Sequence, residues 1–256
     1  MNKFNKDGHL YEDPSRWENF KPSKYLRNKI EIIRSIIPED VRTIGDVGCG
    51  NGIITNTLAD TWRVIGLDRS RTALAYVENL AVAASINKLP IKQASFDLVL
   101  CSEVIEHLPP QIFKQALKEL AGISRKYLLI TVPNQEYLAK NHIKCPECNF
   151  VFNAAYHLHS FNAQKLQSLF PDFKMIKKFE SGKPVRQYNR FLLKIKQKAG
   201  NSWARFSEQK YYICPDCGFR FSYRENKNII SFVCDGLNRL VSFRKPYWLG
   251  LLMVKK

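Results

Sequence analysis

Apolar residues recur at two periods along the first 180 residues. Tyr25, Ile30, Ile33 and Ile37 fall near helical spacing and Pro38 closes the run, so residues 1–40 read as a helical lead-in. Thr43–Val47 reads as a short strand and Ile53–Ala59 as a helix. Residues 63–67 read as a strand ending at Asp68, 72–80 as a helix, and 81–85 as a weak strand ahead of Leu89-Pro90. Residues 96–101 form a compact apolar run typical of a buried strand. Residues 110–121 are amphipathic, and 127–132 are a second buried run, closed by Pro133-Asn134. Strands alternating with helices at this spacing predict an α/β, doubly wound, mostly parallel sheet covered on both faces.

The alternation then breaks. A C-x-x-C segment intervenes, followed by a predicted helix over 163–170 and a strand over 174–179. A long basic segment carries a second C-x-x-C, and 247–254 reads as a last core strand.

The strand-to-helix turn at Asp46-Val47-Gly48-Cys49-Gly50-Asn51-Gly52 carries the first candidate chemistry. Glycines there permit a tight turn and close approach of a ligand to the backbone. About 20 residues past the first glycine, Asp68 ends the next strand, where an acid can accept hydrogen bonds from ribose hydroxyls. The spacing is G-x-G-x-G with a preceding acid, which differs from the dinucleotide fingerprint.

Ile44 to Gly52 resembles motif I of the class I S-adenosylmethionine-dependent methyltransferases, and Val64 to Asp68 resembles their ribose strand. Leu89-Pro90 and the run Ser95 to Leu108 resemble later motifs, especially in the type-11-like subgroup. The similarity covers roughly residues 40–180 plus the last strand. It implies a seven-stranded Rossmann-like fold and adenosylmethionine as methyl donor. By the same resemblance the cofactor residues are Asp46, Gly48, Cys49, Gly50, Gly52, Asp68, Arg69, Ser85, Ile86 and Ser102, with Asp46 available to the ammonium group. The family often has an acid four residues before the Leu-Pro; here that position is Ser85, so the adenine contact falls to Ser85, Ile86 or Asn87.

Cys145-Pro146-Glu147-Cys148-Asn149-Phe150-Val151-Phe152 and Cys214-Pro215-Asp216-Cys217-Gly218-Phe219-Arg220-Phe221 both read C-P-acid-C-x-F-x-F. This is an internal repeat of a zinc knuckle followed by a short strand. Two knuckles supply the four thiolates of a structural Zn²⁺ site. Two separate sites completed by Cys234, His157 or His159, and thiols without metal, are the alternatives. A redox role is disfavoured because neither pair opens an evident helix.

Glu103, Glu106 and His107 follow a buried strand and are the candidate catalytic residues. The Glu-x-x-Glu-His pattern is similar to that of ubiquinone-type O-methyltransferases and of small-RNA 3′-terminal 2′-O-methyltransferases. That resemblance implies a divalent metal on Glu103, Glu106, His107 and His159; the same residues equally fit helix capping, pocket lining, or His107 as a general base.

Charge adds a constraint on partners. The 256-residue chain carries a formal net charge of +17. Residues 174–245 contribute 17 Lys/Arg against 5 Asp/Glu. Such a surface suits nucleic acid, an anionic small molecule or glycan, or solvent alone. Arg186, Tyr188, Arg190, Phe191, Lys194, Lys196 and Lys198 suit phosphate contacts and stacking, or an amphipathic helix with its lysines in water. Trp17, Phe20, Trp203, Tyr211, Tyr212 and Trp248 read as core or pocket wall. No apolar run reaches the length of a membrane span and the N-terminus lacks a signal core, so a cytoplasmic location is expected.

The expected organisation is a lead-in over 1–40, a methyltransferase core over 41–180 and 246–256, and insertions at 141–160 and 181–245 forming a basic zinc-binding lid. The expected activity is methyl transfer to an oxygen or nitrogen of a small molecule or a glycan or lipid intermediate. RNA methylation, with metal-assisted ribose 2′-O chemistry as one form, is the alternative. A non-catalytic nucleic-acid-binding protein on a methyltransferase fold is the other.

Overall fold

The computed structural model describes residues 11–18, 20–203 and 211–256; the first ten residues of the expected lead-in lie outside these. The described chain forms two units. One comprises Tyr11–Asn134, Phe161–Lys183 and Pro246–Lys256; the other comprises Gln135–Ser160 and Pro184–Lys245.

The first unit is built on a seven-stranded sheet. Its elements are α1 (Lys24–Ile36), β1 (Thr43–Val47), α2 (Ile53–Ala59), β2 (Arg63–Asp68), α3 (Arg71–Leu74), β3 (Ala81–Ala83), β4 (Phe96–Ser102), α4 (Pro110–Ile123), β5 (Ser124–Pro133), α5 (Ala163–Ser168), β8 (Phe173–Arg186) and β11 (Arg244–Lys255). The strand order is β3-β2-β1-β4-β5-β11-β8. The pairs β1/β2, β1/β4, β2/β3 and β4/β5 are parallel, and β11 lies antiparallel to β5. A period of two sends alternate residues to opposite faces. Val99, Cys101, Leu128, Ile130, Leu249 and Leu251 join one core layer with α4 and α5. Leu98, Leu100, Leu129 and Leu252 join the other, with Ile30 and Ile33 of α1. These near-continuous apolar strands are buried on both faces, as a helix-covered parallel sheet requires.

The structure departs from the sequence reading at 72–80, where α3 stops at Leu74. Asn56 explains this. Its amide donates to the Tyr76 carbonyl at 3.2 Å, and its oxygen accepts from Glu78 N at 3.0 Å. Those contacts take backbone groups that a continuing helix needs. β3 ends at Ala83, because the chain turns at Ser85, whose carbonyl accepts from Lys88 N at 2.9 Å. β8 runs to Arg186, past the expected 179.

The second unit holds two hairpins, β6 (His142–Lys144) with β7 (Val151–Asn153) and β9 (Tyr212–Ile213) with β10 (Arg220–Phe221). It also holds α6 (Arg190–Lys198) and α7 (Ile229–Val241). α7 lies within the segment expected as one undivided basic stretch. Among the described residues, no helix is long and apolar enough to cross a membrane.

Candidate functional site

β1 delivers the glycine loop at its carboxyl end, and β2 delivers Asp68 beside it. Gly48, Gly50 and Gly52 adopt φ of 79°, 56° and 75°, the left-handed region that side chains resist. A Cβ on Gly48 would stand 2.3 Å from the Val104 side chain, so any other residue there must displace Val104 as well as hold a left-handed φ. The amides of Gly48 and Cys49 both donate to the Leu67 carbonyl, at 2.6 and 3.2 Å. The amide of Gly50 donates to Asp68 Oδ2 at 2.9 Å, while Asp68 Oδ1 accepts from Ser70 N at 2.8 Å. The loop and the acid are therefore one hydrogen-bonded constellation.

Asp46 lies beneath this surface. It is 1% exposed, and its Oδ2 accepts from Thr55 Oγ1 at 2.7 Å. Burial pushes its pKa up to about 6; the Thr55 hydroxyl opposes that rise, and the nearby Asp68 carboxylate adds to it. Asp46 thus stands buried on β1 at the start of the loop, with Thr55 of α2 as its hydrogen-bond partner. Cys49 is buried, and burial raises its thiol pKa, with Asp46 and Asp68 adding to the rise.

The remaining expected contacts surround the same strand ends. Arg69 places its guanidinium 5.3 Å from the centre of the Tyr11 ring. Ser85 Oγ donates to Asn87 Oδ1 at 2.6 Å, and Ile86 packs against the core layer that holds α4 and α5. Ser102 and Thr131 share a hydroxyl–hydroxyl bond of 2.9 Å.

Glu103 follows β4 directly with φ of 58°, a left-handed conformation that costs about 1–3 kcal/mol in a non-glycine residue. Its Oε1 accepts from Lys29 Nζ at 3.2 Å and from Thr131 Oγ1 at 3.0 Å. Glu106 is fully buried, with Oε1 4.0 Å from His107 Nε2. His107 stays partly open, and the Tyr11 ring meets its ring edge-on at 6.4 Å. Glu103 and His159 fall in no set of three or more potential metal ligands among the described residues.

Sequence reasoning missed two contributors. Tyr11 anchors a short segment: its carbonyl accepts from Trp17 Nε1 and from Ser70 Oγ, both at 2.8 Å. The Trp17 ring lies 3.6 Å from where a Cβ on Gly50 would stand, so it closes over the loop. Lys29 is the other; its ammonium lies 4.5 Å from the centre of the Trp248 ring, in cation–π range. A tyrosine and a lysine in an amphipathic lead-in carry no local signal of these roles.

In the second unit the two knuckles come together. The Sγ atoms of Cys145, Cys148, Cys214 and Cys217 all lie within 4.8 Å of one another. Cys145 and Cys217 are 3.7 Å apart, and Cys148 and Cys214 are 3.6 Å apart. A tetrahedron with zinc–sulfur bonds of about 2.3 Å separates its sulfurs by about 3.8 Å, whereas a disulfide needs about 2.05 Å. The set includes none of Cys234, His157 and His159. His157 instead pairs through Nδ1 with the Glu136 carboxylate. The repeat holds bond for bond. Cys145 N donates to the Phe150 carbonyl and Cys214 N to the Phe219 carbonyl, both at 2.9 Å. Asn149 and Gly218 occupy the matching left-handed positions. Phe152, Tyr156, Tyr212 and Phe221 form the small core beside the sulfurs, and Tyr156 OH donates to the Ile213 carbonyl at 3.1 Å.

Residues 45–127 match a family model described as a methyltransferase domain. The ubiquinone biosynthesis O-methyltransferase of Ralstonia nicotianae is 31% identical over 121 residues, covering 43% of this chain and 50% of that protein. The chain spans about half the length of the curated relatives it matches. A SAM dependent methyltransferase from Archaeoglobus fulgidus aligns at a TM-score of 0.56 and 17% identity, over 97% of this chain and 99% of that one. The 1,6-didemethyltoxoflavin-N1-methyltransferase of Burkholderia thailandensis, solved with 1,6-didemethyltoxoflavin and S-adenosylhomocysteine bound, aligns at 0.57 and 12% identity, over 99% of this chain and 88% of that one. The seven-stranded, mostly parallel sheet is thus a Rossmann-like fold shared with these solved methyltransferases.

Proposed function

We propose that the protein is an S-adenosylmethionine-dependent methyltransferase acting on an oxygen or nitrogen nucleophile of a small molecule or a glycan or lipid intermediate. The observation that carries this reading is the Gly50–Asp68 bond, which sets a glycine loop and a strand-end acid into one cradle. The match of residues 45–127 to a methyltransferase domain supports it.

The cradle fits the donor chemically. Gly48, Cys49, Gly50 and Gly52 form the loop for the amino-acid end, with Asp46 at its start for the ammonium group. Asp68 has backbone donors on both oxygens, which hold the carboxylate still for two ribose hydroxyls. Arg69, Ser85, Ile86 and Ser102 complete the surround. Adenosylmethionine, when bound, supplies an electrophilic methyl group on a sulfonium. Aligning acceptor and donor is then the main task of the site, and alignment alone removes several kcal/mol of barrier, up to about 7–11 in well-oriented systems. In this reading His107, 4.0 Å from the buried Glu106 carboxylate, takes the acceptor's proton, and Lys29 holds Glu103.

Cys145, Cys148, Cys214 and Cys217 are proposed to hold a structural Zn²⁺. The sulfur spacing supports this, since a closed set of four thiolates leaves no position for substrate. The proposed domain plan keeps the core at 41–180 and 246–256, with the basic insertions selecting an anionic acceptor from the cytoplasm.

Titration calorimetry with adenosylmethionine and adenosylhomocysteine tests the donor. Saturable binding that Asp68→Ala weakens at least about tenfold supports the reading; absent binding, or binding indifferent to Asp68→Ala, overturns it. Tritiated-methyl transfer compared between total RNA and a small-molecule extract tests the acceptor, and label confined to RNA would overturn the small-molecule branch.

A further inference from the structure

Helix α7 is built inside out. Its inward side chains are Ser231, Cys234 and Asn238, all buried, while Phe232 is 79% and Leu240 82% exposed. Ile229, Leu237, Val241 and, just past the helix, Phe243 are exposed as well. The positions 229, 232, 237 and 240 recur at helical spacing, so they form one outward stripe.

Polar anchors fix this rotation. Asn238 accepts from Asn189 N at 2.8 Å and donates to the Gln187 carbonyl at 3.0 Å. Asp235 accepts from Lys196 Nζ at 2.9 Å and from Tyr188 OH at 2.7 Å. Ser231 and Asn228 close a reciprocal capping box at the start of the helix. Rolling the stripe inward would break all of these bonds at once. An exposed apolar stripe of this size marks an interaction surface.

The surroundings select the partner. Exposed Lys227, Arg239 and Arg244 flank the stripe, and Arg190, Lys194 and Lys198 of α6, which packs on α7, are exposed too. Asp235, the helix's acid, is already paired with Lys196. An apolar stripe between cations suits a surface with an apolar interior and anionic headgroups. A second copy would bring a like-charged face against this one, at an electrostatic cost. Nucleic acid offers phosphates but no apolar medium for Phe232 and Leu240. The helix has 13 residues. At about 1.5 Å per residue that is about 20 Å, short of the roughly 30 Å hydrocarbon layer, so it lies in the interface and does not span it.

We propose that α7 docks the protein peripherally on an anionic lipid bilayer, with Ile229, Phe232, Leu237, Leu240 and Phe243 in the acyl–headgroup boundary and the flanking lysines and arginines on the headgroups. The proposal is independent of the methyl-transfer reading.

Co-sedimentation of the full-length protein with vesicles of phosphatidylcholine containing a third phosphatidylglycerol tests it, alongside analytical ultracentrifugation without lipid. The wild type partitions onto these vesicles, less as salt is added, and much less onto pure phosphatidylcholine. Phe232→Glu/Leu240→Glu alters only exposed positions, so its thermal transition stays in place. Its partitioning falls at least about tenfold, because two large apolar side chains are withdrawn from the boundary. No partitioning of the wild type overturns the proposal, as does partitioning unchanged in the variant. Reversible self-association that the variant abolishes, without vesicle binding by either protein, overturns it in favour of a second copy.

Discussion

Lys29 Nζ stands 3.2 Å from Glu103 Oε1, and the Lys29 side chain is only 1% exposed. The pair ties α1 to the end of β4 and holds the left-handed Glu103 in place. Removing Glu103, itself 26% exposed, leaves the buried Lys29 ammonium without its carboxylate, a loss of up to about 3–5 kcal/mol. Glu103→Ala is expected to destabilise by an amount in that range, and Lys29→Met/Glu103→Gln by less than Glu103→Ala alone. Urea unfolding of the two variants checks this; equal losses would contradict the coupling.

Asp68→Ala removes a charged acceptor for which two backbone amides have been arranged. A hydrogen bond to a charged group contributes about 1.5–3 kcal/mol, so donor affinity should fall roughly 10- to 100-fold by calorimetry. Asp68→Asn should fall less, because one oxygen acceptor survives.

Asp46 makes stability depend on pH in an unusual direction for an acid. Its folded-state pKa is raised to about 6, above the ordinary value of 3.8, so the folded protein holds the proton more tightly than the unfolded chain. Its contribution is most favourable below pH about 4 and is lost as pH rises through about 6, a difference of about 3 kcal/mol. Asp46→Asn keeps the Thr55 bond and removes the buried charge. Its melting temperature should exceed that of the wild type at pH 8, with the gap closing below pH 4. A gap independent of pH would refute this assignment.

The strands were legible because parallel strands buried on both faces are apolar along their length, as 96–101 and 127–132 are. The glycine loop and Asp68 were legible because left-handed turns demand glycine. The end of α3 was not, since Asn56 takes the backbone groups of Tyr76 and Glu78 from another element. Lys29 was invisible for the same reason: its partner is 74 positions away, and a lysine on an amphipathic helix looks solvated. The helix α7 had a readable signal in Ile229, Phe232, Leu237 and Leu240, hidden by the positive charge around it. The local repeat C-P-acid-C-x-F-x-F announced two knuckles, but their meeting depends on the path of the chain between them.

Zinc should be present at about one ion per chain, removable by a strong chelator. Cys214→Ser should lower zinc content and melting temperature together, because metal-binding free energy is folding free energy in such sites. Zinc content unchanged in this variant would exclude the four-thiolate site.

Gly48→Ala meets both a left-handed φ and the Val104 side chain, and should destabilise by more than the roughly 1 kcal/mol of a left-handed alanine alone. Gly48→Ala/Val104→Ala relieves the clash but not the φ, so recovering part of the loss, measured by urea unfolding, is the expected result.

The knuckles lie at 145–148 and 214–217, on two separate excursions of the chain, and between them residues 161–183 return to the sheet. Each knuckle brings half of a ligand set, and half a set closes nothing. The two excursions must therefore be gained, lost or transplanted together. A deletion trimming either one back to the sheet strands the other with unmatched thiols. For anyone grafting this accessory onto another sheet protein, the smallest portable piece is both excursions with the strand segment that separates them.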